Sequence, residues 1–429
     1  MYQSITNFQN QIHTALAHYF QTNHEQAETV RSEWLQSLLP HHSITAAEQT
    51  ILLLALMPHI SPQTLDLFFV QNKDLDRPYT EFGGWKGLSH GGFLPTGQTA
   101  QFLIENTSDT PLSLRHLLSR EHWFYTENIV HLEGQSDGEP FLSGRLVVSE
   151  EFLATVHGKK FEPEYSADFP VRRITTPLEW SDLILPYNLH EELNNIMCWI
   201  HHWHEILKNK QLNRIIKPGY RCLFYGPPGT GKTLTAKLIG KQNGIDVYRV
   251  DLSMIVSKYI GETEKNLARI FDKAEHQNWI LFFDEADALF GQRSETQSSN
   301  DRHANQEVAY LLQRIENFPG IVILATNLKG NIDEAFFRRF QSSVYFPMPD
   351  ETMRRTLWHT MLPTEWIAES NEIIETASKY ELSGGNIVNV IQTCAIQLYK
   401  QSTPILTPEI VEEAIAKELM KEGVRAIKA

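Results

Sequence analysis

The chain has 429 residues, enough for two or three domains, and at 41% hydrophobic it can build ordinary globular cores. With 38 Lys+Arg against 52 Asp+Glu the formal net charge is −14, which opposes general attraction to nucleic acid and anionic membrane without excluding a local basic groove. Three isolated cysteines, Cys198, Cys222 and Cys394, form no disulfide framework and no metal spacing; the polar start Met1–Gln11 lacks a leader pattern, and no apolar run approaches the roughly 18 residues of a membrane span, so a cytoplasmic protein with no membrane partner is expected.

The first part reads as mainly helical. Ala46–Met57 is an apolar run behind Ser43 and Thr45, both suited to capping. Ser61-Pro62 places a cap before a proline and predicts a helix over Gln63–Val70. The stretch from Gly83-Gly84 to Gly91-Gly92 reads as loop, followed by helices near Gln98–Glu105 and Leu112–Ser119. Asn128–Leu132 and Phe141–Val148 flank the turn cluster Gly134–Gly138 and read as two strands. Helices followed by a hairpin fit a winged helix or a generic α+β adaptor domain, and the sequence leaves both open. Glu162–Pro177, rich in proline and charge, reads as a linker, and Asp182–Lys208 as a helix leading into the next domain. That helix carries His201, His202 and His204. Two of them are adjacent and cannot share a helical face, and no carboxylate cluster completes a ligand set, so they read as an exposed helix end and not a metal site.

From Arg221 onward short β-rich runs alternate with helical segments. The strands are Cys222–Tyr225, Asp246–Leu252, Trp279–Phe283, Ile321–Ala325 and Val344–Phe346. Four are separated by helix-length segments, which predicts an α/β fold with a doubly wound parallel sheet. Beyond Pro347-Met348-Pro349 the pattern is helical over Glu351–Leu362, Glu365–Lys379, Gly385–Lys400 and Pro408–Lys421. The expected domains are an N-terminal substrate or adaptor domain over 1–175, a large α/β domain over 176–347 and a helical domain over 348–429.

Between the first of these strands and the helical segment Leu234–Gly240 lies Gly226-Pro227-Pro228-Gly229-Thr230-Gly231-Lys232-Thr233. This is the P-loop (Walker A) pattern G-x-x-x-x-G-K-[ST] in the strand–helix context it requires. Its glycines let backbone N–H groups and the helix N-terminus face the phosphates of ATP. Lys232 is expected at the β- and γ-phosphates, the Thr233 hydroxyl on Mg²⁺, and Leu234 at the end of the cradle. Ile280–Phe283 is an apolar strand that ends in Asp284 and Glu285, a Walker B arrangement. Asp284 is placed to hold the magnesium shell. Glu285 is placed to polarise a water, which favours hydrolysis over transfer and an ATPase over a kinase. Asp287 reads as structural. Ile321–Ala325 leads through Thr326 to Asn327, which can hold the attacking water or the γ-phosphate if its strand neighbours the acidic one. Arg338 and Arg339, set among aromatics, read by spacing equally as arginine fingers for a neighbouring subunit or as a surface basic pair.

The order of these motifs resembles the AAA+ ATPases, and within them the protein-remodelling branch typified by katanin and spastin, over about Asp182 to the C-terminus. Ser257-Lys258-Tyr259-Ile260-Gly261-Glu262 is similar to that family's pore-loop segment. The resemblance implies that Lys258, Tyr259 and Ile260 grip a polypeptide in the channel of a hexamer; without it, Tyr259 and Ile260 read as an ordinary apolar contact. Ile332–Phe340 resembles the finger motif and implies that Arg338 and Arg339 act in trans. Ser383-Gly384-Gly385-Asn386-Ile387 resembles the turn that opens a helix of a C-terminal lid, and Ser294–Asn305 a second pore loop. Asn194–Trp203, Asn305–Glu316 and the Phe-Arg-Arg-Phe-Gln run are also similar to the AAA+ ATPases of bacterial extracellular contractile injection systems. Residues 1–175 do not match the katanin-type amino-terminal module. The expectation is thus an ATP- and Mg²⁺-dependent, ring-forming protein remodeller. The alternatives are a nucleic-acid-dependent ATPase, disfavoured by the charge and the non-basic pore segment, and an assembly scaffold locked by ATP binding.

Overall fold

The computed structural model describes residues 1–22, 32–73, 76–87, 89–106, 114–134, 138–159, 161–166, 169–255, 262–286, 309–327, 338–366, 372–401 and 405–421. The chain forms two compact units, Met1–Glu162 and Pro163–Ala429. Among the described residues no single helix is long and apolar enough to cross a membrane.

The first unit is built around α1 (Tyr2–Tyr19), α2 (Ala46–Ile60), α3 (Gly97–Glu105), α4 (Glu150–Val156) and the antiparallel hairpin β1 (Val130–Glu133) and β2 (Arg145–Val148). Every residue of α2 from Ala47 to Met57 is buried, which makes it the centre of this core. Its start is fixed by a capping box. The Thr45 side chain accepts from the Glu48 amide, and Glu48 Oε2 accepts from the Thr45 amide at 2.7 Å and its hydroxyl at 2.6 Å. Glu48 Oε1 accepts in turn from Trp123 Nε1 at 2.6 Å and lies 3.0 Å from His122 Nε2. One buried carboxylate therefore ties the helix start to a segment more than seventy positions away. The helix expected over Gln63–Val70 is instead a 3₁₀ helix, Pro62–Phe69. Its period of three puts Leu65 and Phe68, both buried, on one side.

The second unit contains a six-stranded sheet. Its strands are β3 (Val171–Ile174), β4 (Tyr220–Tyr225), β5 (Val247–Val250), β6 (Ile280–Phe283), β7 (Ile321–Thr326) and β8 (Ser342–Tyr345), in the spatial order β8-β4-β7-β6-β5-β3. All neighbours pair in parallel except β3, which runs antiparallel to β5 with Val171 opposite Val250. The linker expected over Glu162–Pro177 thus contains an edge strand. Its two arginines suit an edge, where charge blunts further pairing, and Val171 supplies the buried contact. Helices α5 (Tyr187–Lys208) and α6 (Lys232–Asn243) cover one face, through Leu189, Leu193, Ile196, Ala236 and Ile239. Helix α7 (Glu262–Gln277) covers the other, where Phe271 stacks on Phe283. The parallel sheet between helices is the α/β arrangement expected. Helix α5 starts five residues later than the sequence pattern suggested. Pro186 disfavours helical backbone before it, and 183–186 runs without helix into Tyr187.

The remaining helices are α8 (Glu351–Met361), α9 (Glu372–Ser378), α10 (Gly384–Gln401) and α11 (Pro408–Lys421), around a core that includes Trp358, Ile374, Ile387, Cys394 and Ile415. Of the helix expected over Glu365–Lys379, Glu365 and Trp366 lie in a short 3₁₀ turn, Thr364–Trp366, α9 covers Glu372–Ser378, and 367–371 lie outside the described residues.

Candidate nucleotide site

The P-loop joins β4 to α6, and its geometry depends on glycine. Gly226, Gly229 and Gly231 have φ of +143°, +74° and +102°. A Cβ on Gly226 would collide with the Phe346 carbonyl oxygen, and one on Gly229 with Ser383 Oγ. Gly231 caps α6 without a side-chain acceptor, so the first amides of that helix face the loop, as an anion site requires. Lys232 is buried, and its Nζ donates to the carbonyls of Gly226 at 2.7 Å and Pro227 at 2.8 Å. Thr230 Oγ1 bonds the Pro227 carbonyl at 2.8 Å and so stiffens the middle of the loop.

The acidic strand end lies beside this cradle. Thr233 Oγ1 donates to Asp284 Oδ2 at 3.3 Å, while Asp284 Oδ1 accepts the Glu285 amide at 3.1 Å. A hydroxyl and a carboxylate oxygen facing each other match the hard-oxygen ligands of Mg²⁺. With the glycine cradle, the residues present therefore fit a magnesium nucleotide. Glu285 is exposed and has φ of +52°, a left-handed backbone that a residue with a side chain rarely adopts. Gln21, Asp76, Asn128 and Asn278 share that backbone; Glu285 alone of the five lies beside the cradle, at the end of the acidic strand.

Asn327 follows β7, and β7 pairs directly with β6. The strand adjacency on which its expected role depends is thus present. Asn327 lines a small cavity with Tyr225, Gly226, Pro227 and Tyr345, at the mouth of the P-loop. Arg339 pairs with Glu316 of the same chain at 2.7 Å, and Arg338 beside it is exposed. Lys258, Tyr259 and Ile260 lie outside the described residues, as do Asp287 and Ser294–Asn305.

Three features escaped the sequence. A cavity of about 470 Å³ opens beside Gly229–Gly231 and Leu234, within the size range of small-molecule sites. Its walls come from Leu183–Pro186, from Met353 and Leu357 of α8, and from Gly384 and Ile391 of α10. The Gly385 amide donates to the Gly229 carbonyl at 3.0 Å, so the C-terminal helices touch the P-loop itself. Arg249 of β5 lies 3.7 Å from Asp284 Oδ2. Only the Ser383-Gly384-Gly385 turn carried any signal in the sequence; the cavity unites segments more than two hundred residues apart.

Residues 222–348 match the model of the ATPase family associated with various cellular activities (AAA). The chain is 35% identical over 214 residues to cell division protein C of Sulfolobus acidocaldarius, covering 46% of this chain and 56% of that protein. It is 34% identical over 186 residues to vacuolar protein sorting-associated protein 4A of Rattus norvegicus, covering 42% and 43%. It is 28% identical over 214 residues to the 26S proteasome regulatory subunit 6B homolog of Dictyostelium discoideum, covering 48% and 53%. The chain spans about half the length of these curated relatives.

Proposed function

We propose that this chain, which carries an AAA ATPase domain over residues 222–348, couples ATP hydrolysis to the remodelling or threading of a protein within a cytoplasmic ring of its own copies. One observation carries the reading. The glycine cradle, the facing Thr233 and Asp284 oxygens, the strained Glu285 and an apolar cavity all meet at one edge of the sheet, where parallel sheets bind ligands.

The cavity is suited to a base and sugar, and the cradle to the phosphates. Thr233 and Asp284 would hold the magnesium, which when bound neutralises phosphate charge and polarises the terminal phosphoryl group. Lys232 would exchange its carbonyl partners for phosphate oxygens. Glu285 would take the proton of the attacking water, and Asn327 would orient that water. Arg338 and Arg339 are assigned to the nucleotide of the neighbouring copy, and Lys258, Tyr259 and Ile260 to the threaded chain. The names of the relatives, which concern protein sorting and a proteasome subunit, support a protein substrate. The net charge of −14 supports it over nucleic acid. The hexamer, and service to a phage-tail-like injection particle, rest on sequence resemblance.

Glu285→Gln tests the reading. The variant is expected to bind ATP, to hydrolyse it about a hundredfold or more slowly, and to retain its substrate for identification by co-purification. Components of an injection particle among the retained proteins would support the finer assignment. Retention of nucleic acid and replication proteins would overturn the choice of substrate class.

A further inference from the structure

We propose that Arg249 is a positioning residue for the metal: beside the metal-facing oxygen of Asp284, it raises the magnesium concentration needed to fill that site. In the sheet, β5 neighbours β6 with Arg249 opposite Phe282. Asp284 lies two positions beyond Phe282, so alternation of side chains carries Arg249 and Asp284 to the same face. Arg249 Nη2 is 3.7 Å from Asp284 Oδ2. That is the oxygen which accepts from Thr233, whereas Oδ1 accepts the Glu285 amide. The guanidinium therefore sits at the oxygen that a metal shared by Thr233 and Asp284 would use.

Packing does not force this placement, because the Arg249 side chain is 47% exposed. Ladder pairing opposes it, because Arg172 lies directly across from Arg249 in the antiparallel β3–β5 pair, and like charges so placed repel. Asp284 is the carboxylate that pairs with Arg249 among the described residues. A divalent cation approaching Oδ2 meets this positive charge. The phosphates of a nucleotide attract the metal from the other side, and the Arg249 charge still opposes it at Oδ2.

The inference rests on Asp284 being a metal ligand. The test is to titrate Mg²⁺ into the full chain with a fluorescent ATP analogue at fixed concentration, with an EDTA baseline. It compares the unaltered protein with Arg249→Ser and Arg249→Lys. In Arg249→Ser the half-saturating Mg²⁺ concentration is expected to fall about three- to tenfold, the effect of one partly exposed charge, while binding in EDTA stays unchanged. Arg249→Lys keeps a cation and is expected to remain within about twofold of the unaltered protein. A midpoint in Arg249→Ser that stays or rises overturns the inference and leaves Asp284 as a ligand. So does a shift matched by an equal change in the EDTA baseline. If the unaltered protein shows no Mg²⁺-dependent step at all, the metal role of Asp284 and the inference fall together.

Discussion

Gly226 is held at φ +143° with the Phe346 carbonyl oxygen in the place of a Cβ. Gly226→Ala is expected to strain the loop by about 1–3 kcal/mol and to weaken ATP binding about tenfold or more, measurable by calorimetric titration of the folded variant. His122 governs a different property. Burial, above all, draws its pKa below 6.5, although Glu48 opposes that. Its Nδ1 accepts from the Phe124 amide at 3.2 Å, so a second ring proton would face an N–H. The unfolded chain takes up that proton near pH 6.5, and the folded chain resists it. Stability is therefore complete above that pH and declines as pH falls through 6.5 toward the folded-state value. His59, also drawn down by burial, adds in the same direction. Burial pushes the Glu48 carboxyl up, but hydrogen bonds from Thr45 and Trp123 outweigh it and leave the pKa lowered, so its stabilising effect is lost only in the more acidic carboxylate range. Melting temperatures between about pH 7.5 and about pH 5.5 should fall, and His122→Gln should flatten part of the slope.

Arg221 locks a corner of the sheet among the elements. It is 3% exposed, and its guanidinium donates to five carbonyls, of Pro218, Gly219, Ile315, Glu316 and Phe318. Ile315 and Glu316 end the helical stretch 309–317, whose last carbonyls have no partner within the helix. Arg221→Met leaves several of these acceptors unsatisfied and is expected to cost about 3 kcal/mol or more, read by denaturant unfolding. The parallel strands and the P-loop were legible in the sequence because each is contiguous and each is punctuated by glycine, by proline or by a charge at or near a strand end. Strand β3 was not, because Pro170, Arg172 and Arg173 read as linker, and the pairing depends on an open edge of β5 that no local pattern records. Arg249 was hidden for a related reason: its partner Asp284 is on another strand, and only the β5–β6 register brings them together.

The whole molecule has separate cores in its two units, so calorimetry of the full chain should resolve two melting transitions. Magnesium and a non-hydrolysed ATP analogue at about a hundred times Kd should raise only the one that belongs to 163–429, by about 2.7 kcal/mol. In the proposed ring, ATPase rate per subunit should rise with protein concentration, because Arg338 and Arg339 would complete a neighbour's site; a full rate in dilute monomer would remove that role. Catalytic motifs were readable at this scale, but the cavity beside the P-loop was not. Its wall is shared by Leu183–Pro186, the P-loop, α8 and α10, and apolar residues in each segment look locally like ordinary core.

That shared wall has a consequence for biosynthesis. On the ribosome the phosphate cradle and the acidic strand emerge well before Gly384 and Ile391, so a nascent chain that already carries both still lacks one side of its pocket. The wall that α10 supplies, with its Gly385 amide on the Gly229 carbonyl, is therefore the last side of the pocket to be made.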